Sequence, residues 1–289
     1  MKLKYSKKSL IVFFSIVIVL SAVTESMYIF GDEQSVFYQL SILFLMWTPA
    51  LAAIVAGIVL KKEKAGEEPK VKFNHIIGIR LCKIRYILLG IVLPLVYLLV
   101  PYRIYWSMHP DKFAYSGVAI GLVLSDILPL MIIGVFVNLL SALGEEIGWR
   151  GFMLPALTER LGETKTLFLT GFIWACWHLP LLAFGDYMEG CPMWYKLPAF
   201  IICIVPVGII AGYLTYRSGS IWPAAFLHAA HNNFDQAVFD ILTAGDEKKY
   251  FVSETGVFTI ICAWIIAIVL LILLKRNSKM QGTSQKIKA

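Results

Sequence analysis

The chain has 289 residues, 58% hydrophobic and 16% charged, against roughly 45–50% apolar and about 25% charged in ordinary soluble domains. That balance excludes a water-soluble fold of this size and makes lipid the main solvent. The net charge of +7 does not mark a nucleic-acid binder, because the basic residues sit in connections and flank apolar blocks, as orientation signals do.

Apolar blocks recur at about 20 residues, the length a helix needs to cross roughly 30 Å of hydrocarbon at about 1.5 Å per residue. In chain order they predict helices over Leu10–Phe30, Val36–Leu60, Tyr86–Tyr102, Val118–Leu143, Leu167–Phe184, Pro198–Tyr216, Ile221–Ile241 and Gly256–Leu274. The expected fold is therefore all-α, a polytopic membrane helix bundle of about eight transmembrane helices. Lys2, Lys4, Lys7 and Lys8 precede the first block, which reads as a retained span. With the N-terminus inside, the inner segments hold 21 of the 26 Lys and Arg residues, so the positive-inside rule predicts a multi-pass cell-membrane protein with both termini cytoplasmic. The connection from Lys61 to Arg85 reads as an interfacial loop. Three regions follow: 1–116 with the opening helices, 117–245 as the core carrying the chemistry, and 246–289 with the last helix and a basic tail. Five scattered cysteines, with no CxxC pair, imply neither a disulfide framework nor a thiolate metal site.

Ionisable groups are costly at bilayer depth and are functional candidates by default. They cluster at Gly144-Glu145-Glu146-Ile147-Gly148-Trp149-Arg150, at Trp174-Ala175-Cys176-Trp177-His178, and at His228-Ala229-Ala230-His231-Asn232-Asn233. On a helix, Glu146 and Arg150 lie one turn apart and pair, leaving Glu145 facing elsewhere. His228 and Asn232 share one face, and His231 and Asp235 form a second such pair. For Glu145 to share a layer with the histidines, the fourth helix must continue past Leu143 toward Pro155. A buried glutamate and an imidazole hold and deprotonate a water, and a second imidazole with an amide supplies hydrogen bonds to an oxyanion. Trp149 reads as an interfacial anchor, and Trp174, Trp177 and Phe172 as packing. Asp126 has no evident partner.

Glu145-Glu146-x-x-x-Arg150, then Trp174-x-x-x-His178, then His228-x-x-x-Asn232, resemble in order and spacing the three motifs of the CAAX-protease and bacteriocin-processing (CPBP, or Abi) family. The likeness covers roughly residues 120–240. It implies an intramembrane endopeptidase in which Glu145 with His178 activates water, and His228 with Asn232 stabilises the oxyanion. Glu146 and Arg150 would be a supporting pair, with Trp174 where the family usually has phenylalanine. The implied partner is a peptide or protein substrate at the bilayer, prenylated or a leader peptide. No cofactor is required by this reading, although Glu145, His178 and His228 are a reasonable zinc set. His231 with Asp235 is a rival for the third motif, set aside because Ser220-Ile221-Trp222-Pro223-Ala224 leads into His228 as in the family. The alternative function is a non-catalytic bacteriocin-immunity or scaffold protein of the same fold.

Overall fold

A computed structural model describes residues 5–66 and 72–287, with the side chains of 277–287 left aside. It is built from α1 (Lys7–Ile29), α2 (Val36–Glu63), the short α3 (Phe73–Ile76), α4 (Ile84–Met108), α5 (Ile120–Glu146), a π-helical segment (Ile147–Met153), α6 (Leu154–Leu161), α7 (Glu163–Trp177), α8 (Leu179–Phe184), α9 (Met193–Ser218), α10 (Trp222–Asn232), a second π segment (Asn233–Phe239) and α11 (Val257–Ile287). Seven helical stretches are long and apolar enough to cross a bilayer. The eighth expected span, Ile221–Ile241, is present as α10 and its π extension. It lacks the composition of a lipid-facing helix because His228, His231, Asn232, Asn233 and Asp235 interrupt it, and most of it is buried between other helices.

The helices differ in what they face. The apolar window of α9 is 78% buried, whereas those of α11 and of the run Ile120–Leu161 are 22% and 11% buried. So α9 is the central post, and the outer helices turn Ile132, Ile133, Val137 and Ile265 outward, as a lipid-facing surface requires. The run through α5 does continue past Leu143, through the π segment to Leu161. This was the condition for Glu145 to share a layer with the histidines.

The connection after α2 is more tightly packed than a solvated loop. Ile76 and Ile77 are buried, the Ser220 hydroxyl donates to the Arg80 carbonyl at 2.6 Å, and the Ile221 N–H donates to the Gly78 carbonyl. Residues 67–71 of that connection lie outside the described residues. Small residues make the closest crossings, since a membrane bundle gains mainly from close van der Waals approach. A Cβ at Gly148 would lie 2.3 Å from Pro49 Cβ and 2.6 Å from its carbonyl oxygen, and one at Gly151 would lie 2.2 Å from the Ile77 carbonyl oxygen.

Gly148→Ala therefore forces α2 away from the π segment and is expected to destabilise the protein by about 1–3 kcal/mol. Gly121→Ala, where a Cβ meets nothing within 4 Å, is expected to leave the thermal midpoint in detergent unchanged or slightly higher. Equal midpoints for the two variants would contradict this account of the crossing.

Candidate active site

The two carboxylates at the end of α5 are buried to 1% and 0% exposure, and each has its own set of partners. Glu145 Oε2 accepts the indole N–H of Trp174 at 2.7 Å and that of Trp149 at 3.3 Å. Its other oxygen, Oε1, lies 4.0 Å from His228 Nε2, beyond hydrogen-bond length. Glu146 Oε1 accepts from Arg150 Nη1 at 2.8 Å and from His228 Nδ1 at 3.0 Å. The Arg150 guanidinium also stacks over the Trp174 ring, 4.3 Å from its centroid. The i, i+4 pairing of Glu146 with Arg150 is thus present, while Glu145 points away from it, as the helix geometry predicted.

His178 sits at the junction of α7 and α8, where its Nδ1 donates to the Trp174 carbonyl at 2.8 Å. Occupying that nitrogen with a proton leaves Nε2 as the acceptor of the neutral ring. The ring is enclosed by Trp174, Trp177, Tyr187 and Phe200. His228 is reached from α10, and the Trp174 ring meets it edge-on at 5.2 Å. Glu145, His178, His228 and Asn232 all line one cavity of about 260 Å³. Of these four, His228 is the imidazole within 4.0 Å of Glu145. Among the described residues no three His, Cys, Asp or Glu side chains converge as a metal-ligand set. The trio Glu145, His178 and His228 is therefore not drawn together as zinc ligands.

The cavity extends to Tyr28, near the end of α1 remote from Lys7 and Lys8, and to Asp186 in the α8–α9 connection. The Tyr28 hydroxyl donates to the Asp186 carboxylate there. A further wall is one that sequence reasoning did not find. Glu254, at 2% exposure, comes from a short 3₁₀ turn ahead of α11. Its carboxylate accepts from His231 Nε2 at 2.8 Å and from the Tyr187 hydroxyl at 2.6 Å. His231 Nδ1 in turn faces the Tyr97 hydroxyl at 2.9 Å. Asp235 accepts from Ser253 at 2.7 Å and from Tyr102 at 3.1 Å. So His231 and Asp235, the rival motif, join a structural network, and they do so through different partners. The only available sequence signal was that pair's position in an apolar span. Glu254 lies between two loop segments and carried none.

Three smaller expectations change. Trp149 is 1% exposed and donates to Glu145, so it is interior and not an interfacial anchor. Trp177 donates to the Ser21 hydroxyl at 2.8 Å, adding a polar tie to its packing. Asp126 has a partner after all, the Tyr115 hydroxyl at 3.0 Å.

Comparison with known proteins falls on this region. Residues 127–234, which carry all three motifs, match the family model described as type II CAAX prenyl endopeptidase Rce1-like. The chain is also 29% identical over 240 residues to CAAX prenyl protease 2 of Methanococcus maripaludis, covering 78% of this chain and 82% of that protein. A match centred on the helices of the cavity, joined to a likeness spanning most of both chains, makes this chain similar to the Rce1-like type II CAAX prenyl endopeptidases.

Proposed function

We propose that the protein is an intramembrane endopeptidase that hydrolyses a peptide bond with water activated by Glu145 and His178. The observation that carries this reading is the division of labour at Glu145. One oxygen is fixed by two indole donors, and the other is left free of hydrogen-bond partners beside a cavity that also holds His178, His228 and Asn232. A water held between Glu145 Oε1 and the acceptor nitrogen of His178 gives its proton to the carboxylate as its oxygen attacks the scissile carbonyl carbon. The oxyanion that forms takes hydrogen bonds from His228, working as an imidazolium, and from the Asn232 amide. Collapse of the tetrahedral intermediate breaks the C–N bond, and the proton on Glu145 passes to the leaving amine. Glu146 and Arg150 position the His228 ring through its Nδ1.

The distribution of Lys and Arg supports a multi-pass cell-membrane protein with both termini cytoplasmic. In that orientation Tyr28 and Asp186 lie toward the outer face. The family name favours peptides that resemble a prenylated CAAX tail. An immunity or scaffold role has less support, because a binder has no need of a carboxylate, two imidazoles and an amide kept together at bilayer depth.

Glu145→Gln is expected to lower turnover of a quenched peptide library by about 100-fold or more, while gel filtration and thermal midpoint stay those of the parent. Chelator is expected to leave the parent's rate unchanged; turnover retained in the variant, or lost to chelator, would refute the water-activation scheme. Trp174→Phe keeps the ring but removes the 2.7 Å donor to Glu145, and a hydrogen bond to a charged group of this kind corresponds to a drop in kcat of about 10- to 100-fold. KM should change little, and an unchanged kcat would mean that Trp174 only packs. Orientation is testable with two native cysteines, Cys82 before α4 and Cys191 before α9. In intact cells a membrane-impermeant maleimide should label Cys191 and reach Cys82 only after permeabilisation; the reverse pattern would invert the topology.

A further inference from the structure

Where α4 begins and α9 ends, the two helices flank a recess of about 460 Å³ that shares no lining residue with the Glu145 cavity. Lys83, Arg85 and Arg217 line it, together with Leu81, Cys82 and Tyr86. Its walls are held by hydrogen bonds. The Ser220 hydroxyl donates to the Arg80 carbonyl at 2.6 Å, the Ile221 N–H to the Gly78 carbonyl at 3.1 Å, and the Ser218 hydroxyl to the Ser220 carbonyl at 3.0 Å. The segment leading into α4 is thereby clamped to the end of α9. Gly78 has φ +74°, and a Cβ there would lie 2.6 Å from Ile221 Cγ2, so the clamp closes at contact distance.

The three cations of the recess are exposed, and no described carboxylate pairs with any of them. The contrast is with the cations beyond the other end of α4. There Lys112 pairs with Glu247 at 3.0 Å, and Lys248 and Lys249 pair with Asp240 at 3.2 and 2.9 Å. Arg85 is also held in place, its guanidinium 5.0 Å from the centroid of the Tyr86 ring and donating to the Tyr86 hydroxyl at 3.2 Å. That contact uses one N–H of the guanidinium and leaves the others for a ligand.

Two features give the ligand an apolar body as well as a negative charge. The membrane-crossing stretch of α4 begins at Ile84 and that of α9 ends at Ser218, so the recess lies where hydrocarbon gives way to headgroups. From there Ile84, Leu88, Val92, Val96 and Val100, spaced four apart and all exposed, form one apolar stripe down α4. Leu81, at the recess itself, is 99% exposed. A free phosphate has no use for such a stripe.

We infer that the recess binds the phosphate headgroup of an anionic phospholipid whose acyl chains lie along the α4 stripe. Basic recesses between membrane helices on the positively charged face suit such headgroups. The concentration of Lys and Arg at this end assigns the lipid to the cytoplasmic leaflet. The site stands independently of the protease chemistry.

The test is phosphatidylglycerol binding to the full-length protein in detergent, counted by native mass spectrometry beside phosphatidylcholine. One phosphatidylglycerol should bind saturably and in preference to phosphatidylcholine. Its binding should slow maleimide labelling of Cys82, in the recess, and leave the rate at Cys191, ahead of α9, unchanged. Each Lys or Arg beside an anionic headgroup is worth roughly fivefold in affinity, so Lys83→Gln, Arg85→Gln and Arg217→Gln combined should weaken binding by about 100-fold. Lys61→Gln, Lys62→Gln and Lys275→Gln combined remove the same charge from exposed positions outside the recess. That variant should bind nearly as the parent does, because distant exposed charges are screened. Equal weakening by the two triple variants would overturn the inference, since binding would then follow net charge. Unslowed labelling of Cys82, or no saturable binding, would overturn it too. Displacement of the lipid by glycerol phosphate at comparable concentration would do the same, by making the recess a site for a free anion.

Discussion

Two adjacent carboxylates lie where lipid surrounds the bundle, and neither is tolerable there without donors. Glu146 is held by a guanidinium and an imidazole, and Glu145 by two indoles. Those four donors come from α7, α10 and the π segment, so meeting the needs of the carboxylates fixes where these elements sit. Arg150 ties the arrangement together. It pairs with Glu146 along the same helical run and lies on the ring of Trp174, whose N–H holds Glu145. Removing the Arg150 guanidinium leaves the Glu146 carboxylate buried without its counter-charge, and an uncompensated buried charge typically costs about 3–5 kcal/mol.

Much of this was legible from residue order. Long apolar blocks define the spans, because hydrocarbon thickness sets their length. Polar residues inside such blocks stand out for the same reason, and Glu145, Glu146, Arg150, His178, His228 and Asn232 were all found that way. The pairing of Glu146 with Arg150 follows from helical spacing alone. What spacing cannot carry is contact between distant elements. Trp149 and Trp174 look like packing in a one-dimensional reading, since an indole is mostly apolar surface, yet both N–H groups point at Glu145. Glu254 sits in a connecting stretch where a glutamate is unremarkable, and only the fold brings it to His231, 23 residues away.

The second network gives the cavity its shape on the side away from the α5 carboxylates. Tyr97, His231, Glu254 and Tyr187 form a continuous hydrogen-bonded chain from α4 across α10 to the α8–α9 connection. Tyr102, Asp235 and Ser253 form a parallel one. Each buried polar atom in these chains has a protein partner, which favours a single arrangement of the wall over several. The first and last regions of the chain thus contribute to the cavity as directly as the central one, through Tyr28 and Glu254.

Both π-helical segments begin immediately after groups assigned to the chemistry: Ile147–Met153 follows Glu146, and Asn233–Phe239 follows Asn232. Such turns hold one more residue than the α-helical ladder around them and recur at functional positions. The extra residue is absorbed inside the turn, so the α-helical register on either side is the same with it or without it. Loss of a single residue from 147–153 would therefore restore an α-helical turn and leave α6 in register, while moving Trp149 and Arg150 relative to Glu145 and Glu146. Length in these two stretches thus sets where the site's own side chains point, and the helices beyond them keep their places.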